Sequence, residues 1–104
     1  MISVKDLNEL KLVLAETDDT IHVVLYVTAE WCSVCKRIAP IIRQYVDSKS
    51  NMLFIVADYD VAKTIVHKYK IRVVPCFIRF LNTEIESICM SGNEKNISDF
   101  FSEI

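Results

Sequence analysis

Two thiols three residues apart in Trp31-Cys32-Ser33-Val34-Cys35-Lys36 can exchange a disulfide with another protein. The pair takes its weight from its surroundings. The apolar run Ile21 to Val27 comes just before it, and a helical pattern from Cys35 to Val46 comes just after. A Cys-x-x-Cys outside such a strand-to-helix junction is weak information, because two structural cysteines at a helix start would read the same way.

The elements that must hold this junction can be read from periodicity. Ser3 and Asp6 have the spacing of a capping box, with Asp in place of the usual Glu, and Leu7, Leu10 and Leu14 follow at helical spacing. A first helix is expected over about residues 4 to 16. Ile21 to Val27 is β-branched and aromatic with little alternation, which predicts a strand covered on both faces. After the cysteines, Cys35, Ile38, Ala39, Ile42, Tyr45 and Val46 form one stripe, and the helix is expected to bend at Pro40, which has no N–H to donate. Met52 to Ala57 reads as a second buried strand, with Asp60 capping a helix that carries Val61, Ile65 and Tyr69. Cys76 to Leu81 and Ile85 to Met90 form a hairpin across Asn82-Thr83, and Ile97, Phe100, Phe101 and Ile104 line a last helix. Right-handed crossovers make the early strands parallel, and the closing hairpin adds an antiparallel edge. The fold class is α/β, a mixed central sheet with helices on both faces.

The chain has 104 residues, 52% hydrophobic and 25% charged, which is enough for one domain, residues 1–104, with a single core. Its 12 basic and 14 acidic residues are interspersed, giving a formal charge of -2 and no basic run that a phosphate backbone would attract. Nucleic acid is not expected as a ligand. No stretch reaches the roughly 18 continuous apolar residues of a membrane span, and the N-terminus lacks a basic segment followed by an apolar run. The expected address is the cytoplasm, where the 4 cysteines would be reduced or transiently oxidised.

Ala29-Glu30-Trp31-Cys32-Ser33-Val34-Cys35-Lys36, Pro40, Val74-Pro75 and Phe80-Leu81-Asn82-Thr83-Glu84 together make the chain resemble the thioredoxin family along essentially its whole length. The resemblance implies a thioredoxin fold and a protein disulfide reductase. Cys32 would be the nucleophile, exposed at a helix N-terminus where amides and the helix dipole favour thiolate, with Cys35 resolving the mixed disulfide. Pro75 would be cis beside the pair, with Trp31, Val74 and Pro75 receiving substrate. No bound cofactor is implied beyond the redox-active Cys32-Cys35 disulfide. The partners would be disulfide-containing proteins and an NADPH-dependent thioredoxin reductase, and the chain would act as a monomer.

Three departures bear on mechanism. The family's usual Gly-Pro between the cysteines is Ser33-Val34 here, its buried Asp under the second cysteine is Tyr26, and the Lys that partners that Asp is Val56. A tyrosine with a reference pKa near 10 is a poor base at neutral pH. The competing function is therefore a thioredoxin-fold binding module with little redox turnover, a reading to which Pro75-Cys76-Phe77 adds through its likeness to the thioredoxin-fold subunit of the spliceosome. A metal site of Cys32, Cys35 and Cys76 with His67 or Cys89 is a further rival, though it lacks a second Cys-x-x-Cys or a His pair. A glutaredoxin-like reading is weaker, because Gly92 stands alone where that family has a paired-glycine segment. Cys76 and Cys89 fall in strands and are expected in the core, His67 is expected exposed and non-catalytic, and Tyr26 is expected buried.

Overall fold

In a computed structural model describing residues 2–104, the elements follow the order β1 (Ile2–Ser3), α1 (Leu7–Glu16), β2 (His22–Thr28), α2 (Ser33–Ser48), β3 (Met52–Asp58), α3 (Lys63–Lys68), β4 (Cys76–Leu81), β5 (Glu84–Cys89) and α4 (Glu94–Phe101). The sheet order is β1-β3-β2-β4-β5: β1, β3 and β2 run parallel, β4 is antiparallel to β2, and β5 is antiparallel to β4. The mixed sheet and its two-sided helical cover are as expected.

Strand alternation divides the core in two. Val23, Leu25, Val27, Ile55, Cys76, Ile78 and Phe80 point to the side covered by α1 and α3, where Leu10 and Ile65 meet them. Val24, Tyr26, Phe54 and Phe77 point to the other side and pack against Ile38 and Ile42 of α2 and Ile97, Phe100 and Phe101 of α4. Both faces of β2 are thus dry, which explains why its sequence shows no alternation. The β4–β5 turn places Asn82 and Thr83 at φ of 50° and 66°, the doubly positive pattern that lets a two-residue hairpin match strand twist.

Several boundaries differ from those expected. Helix α1 begins at Leu7, because Asp6 is its cap: the Asp6 carboxylate accepts the Glu9 amide at 2.9 Å, and Glu9 reaches back to the Lys5 amide at 2.7 Å. Ser3 is released from the helix and pairs with Val56 in a two-residue strand too short to show a period. Asp60 does not cap α3, whose cap position is Ala62 with no side-chain bond. Val61 is exposed, as is Ala39, which periodicity had placed on the buried stripe of α2. Helix α2 runs through Pro40, and Ile104 packs on the core from beyond the end of α4.

On the second face, Arg79 is 7% exposed and holds three partners: Glu103 at 3.0 Å, His22 Nδ1 at 3.1 Å and Ser87 Oγ at 3.2 Å. A guanidinium only donates, so Nδ1 accepts and the ring is neutral. Burial first and the Arg79 charge second lower the His22 pKa, with Glu86 pulling the other way. A histidine with a depressed folded pKa contributes fully above its unfolded value of 6.5 and loses that contribution as pH falls toward the folded value. Denaturant melts of the wild type and His22→Gln across pH 7.5 to 5 should therefore converge, the wild type losing more stability on acidification.

Candidate functional site

Helix α2 starts one turn after β2 ends, and Cys32 occupies its cap position with an extended backbone (φ -84°, ψ 103°). The Cys35 N–H donates to Cys32 Sγ at 3.1 Å, so the sulfur takes the place usually held by a Ser, Thr or Asp oxygen. Across the junction the Val74-Pro75 bond is cis, and the Val74 carbonyl oxygen lies 3.9 Å from Cys32 Sγ, within reach of a weak S–H donor. Ala29, Val34, Tyr59 and Val74 pack around the two cysteines as a small apolar cluster, with Tyr59 and Val74 also touching the first core layer and Val34 the second.

The expectation of an exposed, acidified Cys32 is corrected here. Cys32 is 6% exposed and Cys35 4%, so burial does not distinguish them. Burial, chiefly, holds the Cys32 thiol above its ordinary value; the amides of Cys35 and Val34 pull downward, as a helix start should, but do not win. The amide donors of the helix start are thus already aimed at the sulfur for the moment at which charge develops on it.

Trp31 is 63% exposed, its indole N–H donating to Asp60 at 2.7 Å and its ring edge-on to Tyr59 at 6.2 Å. Asp60 is free for this because Asp58 Oδ1 makes the turn instead, accepting the Asp60 and Val61 amides at 2.8 and 3.3 Å. A groove of about 280 Å³ runs beside Trp31 along Tyr59, Arg72, Val73 and Val74. Tyr26 is buried and stacks on Phe77 at 4.8 Å. Its phenol is raised well above the usual range by burial first, with Cys35 and Cys32 adding to the shift and Thr28 opposing it.

The other predicted thiols lie apart from each other. Cys76 faces the α1–α3 side and Cys89 the α2–α4 side of the sheet, Cys89 standing opposite Phe77 in register. Burial, then the charge of Cys89 across the sheet, pushes the Cys76 thiol up to about 12, and burial also raises Cys89. His67 is exposed in the last turn of α3. Among the described residues, no three His, Cys, Asp or Glu side chains gather as metal ligands would. Sequence reasoning missed Asp58, Asp60 and Tyr59 as supports of the site, because nothing in their spacing marks a turn that anchors a tryptophan. It also treated Gly92 only as a solitary glycine, whereas a side chain there would collide with Val34 between the cysteines.

The thioredoxin sequence profile matches residues 4–103, nearly the full chain. The chain belongs to the thioredoxin family. Thioredoxin Asp f 28 of Aspergillus fumigatus is 28% identical over 77 residues, which is 73% of this chain and 71% of that protein. A peptide-N(4)-(N-acetyl-beta-glucosaminyl)asparagine amidase of Caenorhabditis elegans is 30% identical over 96 residues, 92% of this chain, which spans only 16% of that protein's length. Among solved structures, Schistosoma mansoni thioredoxin superposes with a TM-score of 0.87 at 25% identity, covering 99% of this chain and 94% of its own. Thioredoxin-family proteins are thiol-disulfide oxidoreductases that use a cysteine pair without a bound cofactor, act on disulfide substrates and are generally reduced by thioredoxin reductase.

Two expectations follow from this geometry. Gly92→Ala must displace Val34, and as an overpacked contact should cost about 1–3 kcal/mol in a denaturant melt while changing thiol reactivity at Cys32. Cys76 and Cys89 should resist iodoacetamide at neutral pH and remain unbridged after mild oxidation, by peptide mapping, because burial raises both and the sheet separates them.

Proposed function

We propose that this chain is a protein disulfide reductase in which Cys32 attacks a substrate disulfide and Cys35 resolves the mixed disulfide. The observation that carries this reading is the Cys32 sulfur at the head of α2, hydrogen-bonded by the Cys35 amide and flanked by the cis Val74-Pro75 peptide. A sulfur at a helix start gains from those amides as soon as it carries negative charge, whether as attacking thiolate or as leaving group in the reverse step. That asymmetry supports Cys32 as the nucleophile, since Cys35 lies inside the first turn.

The reaction consumes the dithiol. Cys32 thiolate forms a bond to one substrate sulfur as the substrate disulfide breaks and the other sulfur leaves and takes up a proton; Cys35 then gives up its proton and bonds to Cys32, which releases the first substrate sulfur as a thiol. An external reductant must restore the pair, and an NADPH-dependent thioredoxin reductase of the cytoplasm fits that requirement. Trp31 and the groove beside it, with Val74 and Pro75, would receive the substrate as an extended segment, and a monomer suffices for this chemistry.

The second reading, a binding module with little turnover, draws on Tyr26 and Val56, which leave the sheet face beneath Cys35 without a carboxylate at the position where the family usually has one. Insulin reduction with dithiothreitol as electron source separates the two readings. The wild type should precipitate the insulin B chain faster than dithiothreitol alone, Cys32→Ser should fall to that background, and Cys35→Ser should accumulate a covalent adduct visible on a non-reducing gel. Background activity in the wild type would favour the module, and an active Cys32→Ser would reverse the assigned roles.

A further inference from the structure

We infer that Asp58 is the proton acceptor for Cys35 during resolution, acting through water in an open cleft beside the second cysteine. This rests on the reductase reading above. Residues 26 and 28 of β2 and 56 and 58 of β3 share one sheet face, and their register pairs Tyr26 with Val56 and Thr28 with Asp58. Cys35, in the first turn of α2, sits over that face. Beside them is an open, solvent-facing cleft of about 300 Å³, bounded among others by Tyr26, Thr28, Glu30, Cys35, Lys36 and Asp58.

The chemistry narrows the candidates. Resolution needs the Cys35 S–H bond broken as its electron pair attacks Cys32, so the proton must go to something that can hold it at neutral pH. Tyr26 is a neutral phenol with its titration pushed upward by burial, and Val56 has no polar group. Glu30 is exposed, and its carboxylate competes with bulk water. Asp58 is half-buried, in no ion pair among the described residues, and both of its recorded hydrogen bonds fall on Oδ1. Oδ2 is left to accept from water, and a cleft with this mix of hydroxyl, thiol and carboxylate can hold it.

The step balances as follows. Cys35 Sγ gives its proton to the water, which passes one to Asp58 Oδ2; the Cys35–Cys32 disulfide forms, the Cys32–substrate disulfide breaks, and the departing sulfur takes a proton from solvent as Asp58 ionises again. No outside oxidant or reductant enters.

Stopped-flow reaction with 5,5'-dithiobis(2-nitrobenzoate) tests this, since attack by Cys32 and resolution by Cys35 each release one coloured thiolate. Asp58→Asn keeps the Oδ1 acceptor that anchors Asp60 and Trp31 and removes only the charge. The second release should slow about tenfold at pH 7 while the first changes less than about twofold, and Glu30→Gln should leave both within about twofold. The pH profile supplies the readout that a structural role would not move, in a cleft where Tyr26, Glu30, Lys36 and Cys35 are the other titratable groups. The wild-type second phase should keep a shallow pH dependence, and Asp58→Asn should steepen toward about tenfold per pH unit as hydroxide becomes the base. Equal slowing of both phases with altered Trp31 fluorescence, or an unchanged second phase, would overturn the proposal. A missing first phase in the wild type would instead overturn the reductase reading beneath it.

Discussion

The sulfur of Cys32 closes the start of helix α2, and that one bond sets the geometry of the region around it. A helix leaves its first amides without partners, and here the Cys35 amide is answered by a thiol at 3.1 Å. The bond fixes where α2 begins relative to the end of β2, and so the separation of the two cysteines along the first turn. Val34, between the two cysteines, lies against Gly92, where an added Cβ would force it to shift. The cis Val74-Pro75 peptide and the Asp58 turn that holds Asp60 and Trp31 are arranged around the same point.

Two opposing electrostatic effects meet at that sulfur. Helix amides favour thiolate, and desolvation by the apolar cluster of Ala29, Val34, Tyr59 and Val74 disfavours it more strongly in the reduced state. The amide donor at Cys35 is already aimed at the sulfur and needs no rearrangement when charge develops there. The same covering that suppresses the resting thiolate strengthens those donors once a substrate excludes water. Rate then depends on how a partner surface fits beside Trp31 more than on ground-state ionisation.

The sheet isolates the four thiols by the elementary alternation of strand side chains. Cys76 and Cys89 belong to neighbouring strands, but they point into opposite layers of core, with the dense β-sheet between them. Only Cys32 and Cys35 share a cluster. Redox chemistry can therefore be confined to one pair without removing the other two cysteines, whose burial also raises their titration.

Much of this was legible in the residues themselves. The buried strands β2 and β3, the hairpin with its Asn82-Thr83 turn and the amphipathic helices follow from local periodicity, because an apolar face repeats wherever it must be covered. The dithiol and its position between strand and helix were equally plain, and the likeness to the thioredoxin family followed from residues along the whole chain. What sequence could not supply depends on contacts between segments distant in the chain. A two-residue strand such as β1 exists only because β3 offers it a partner. Asp60 has the spacing of a helix cap, yet its carboxylate goes to Trp31 at 29 residues' separation because Asp58 has already taken the turn amides. The resting state of Cys32 was misread for the same reason: a helix start is local and visible in the sequence, whereas the desolvation that outweighs it comes from Val74 and Tyr59, which only the folded chain brings to the sulfur.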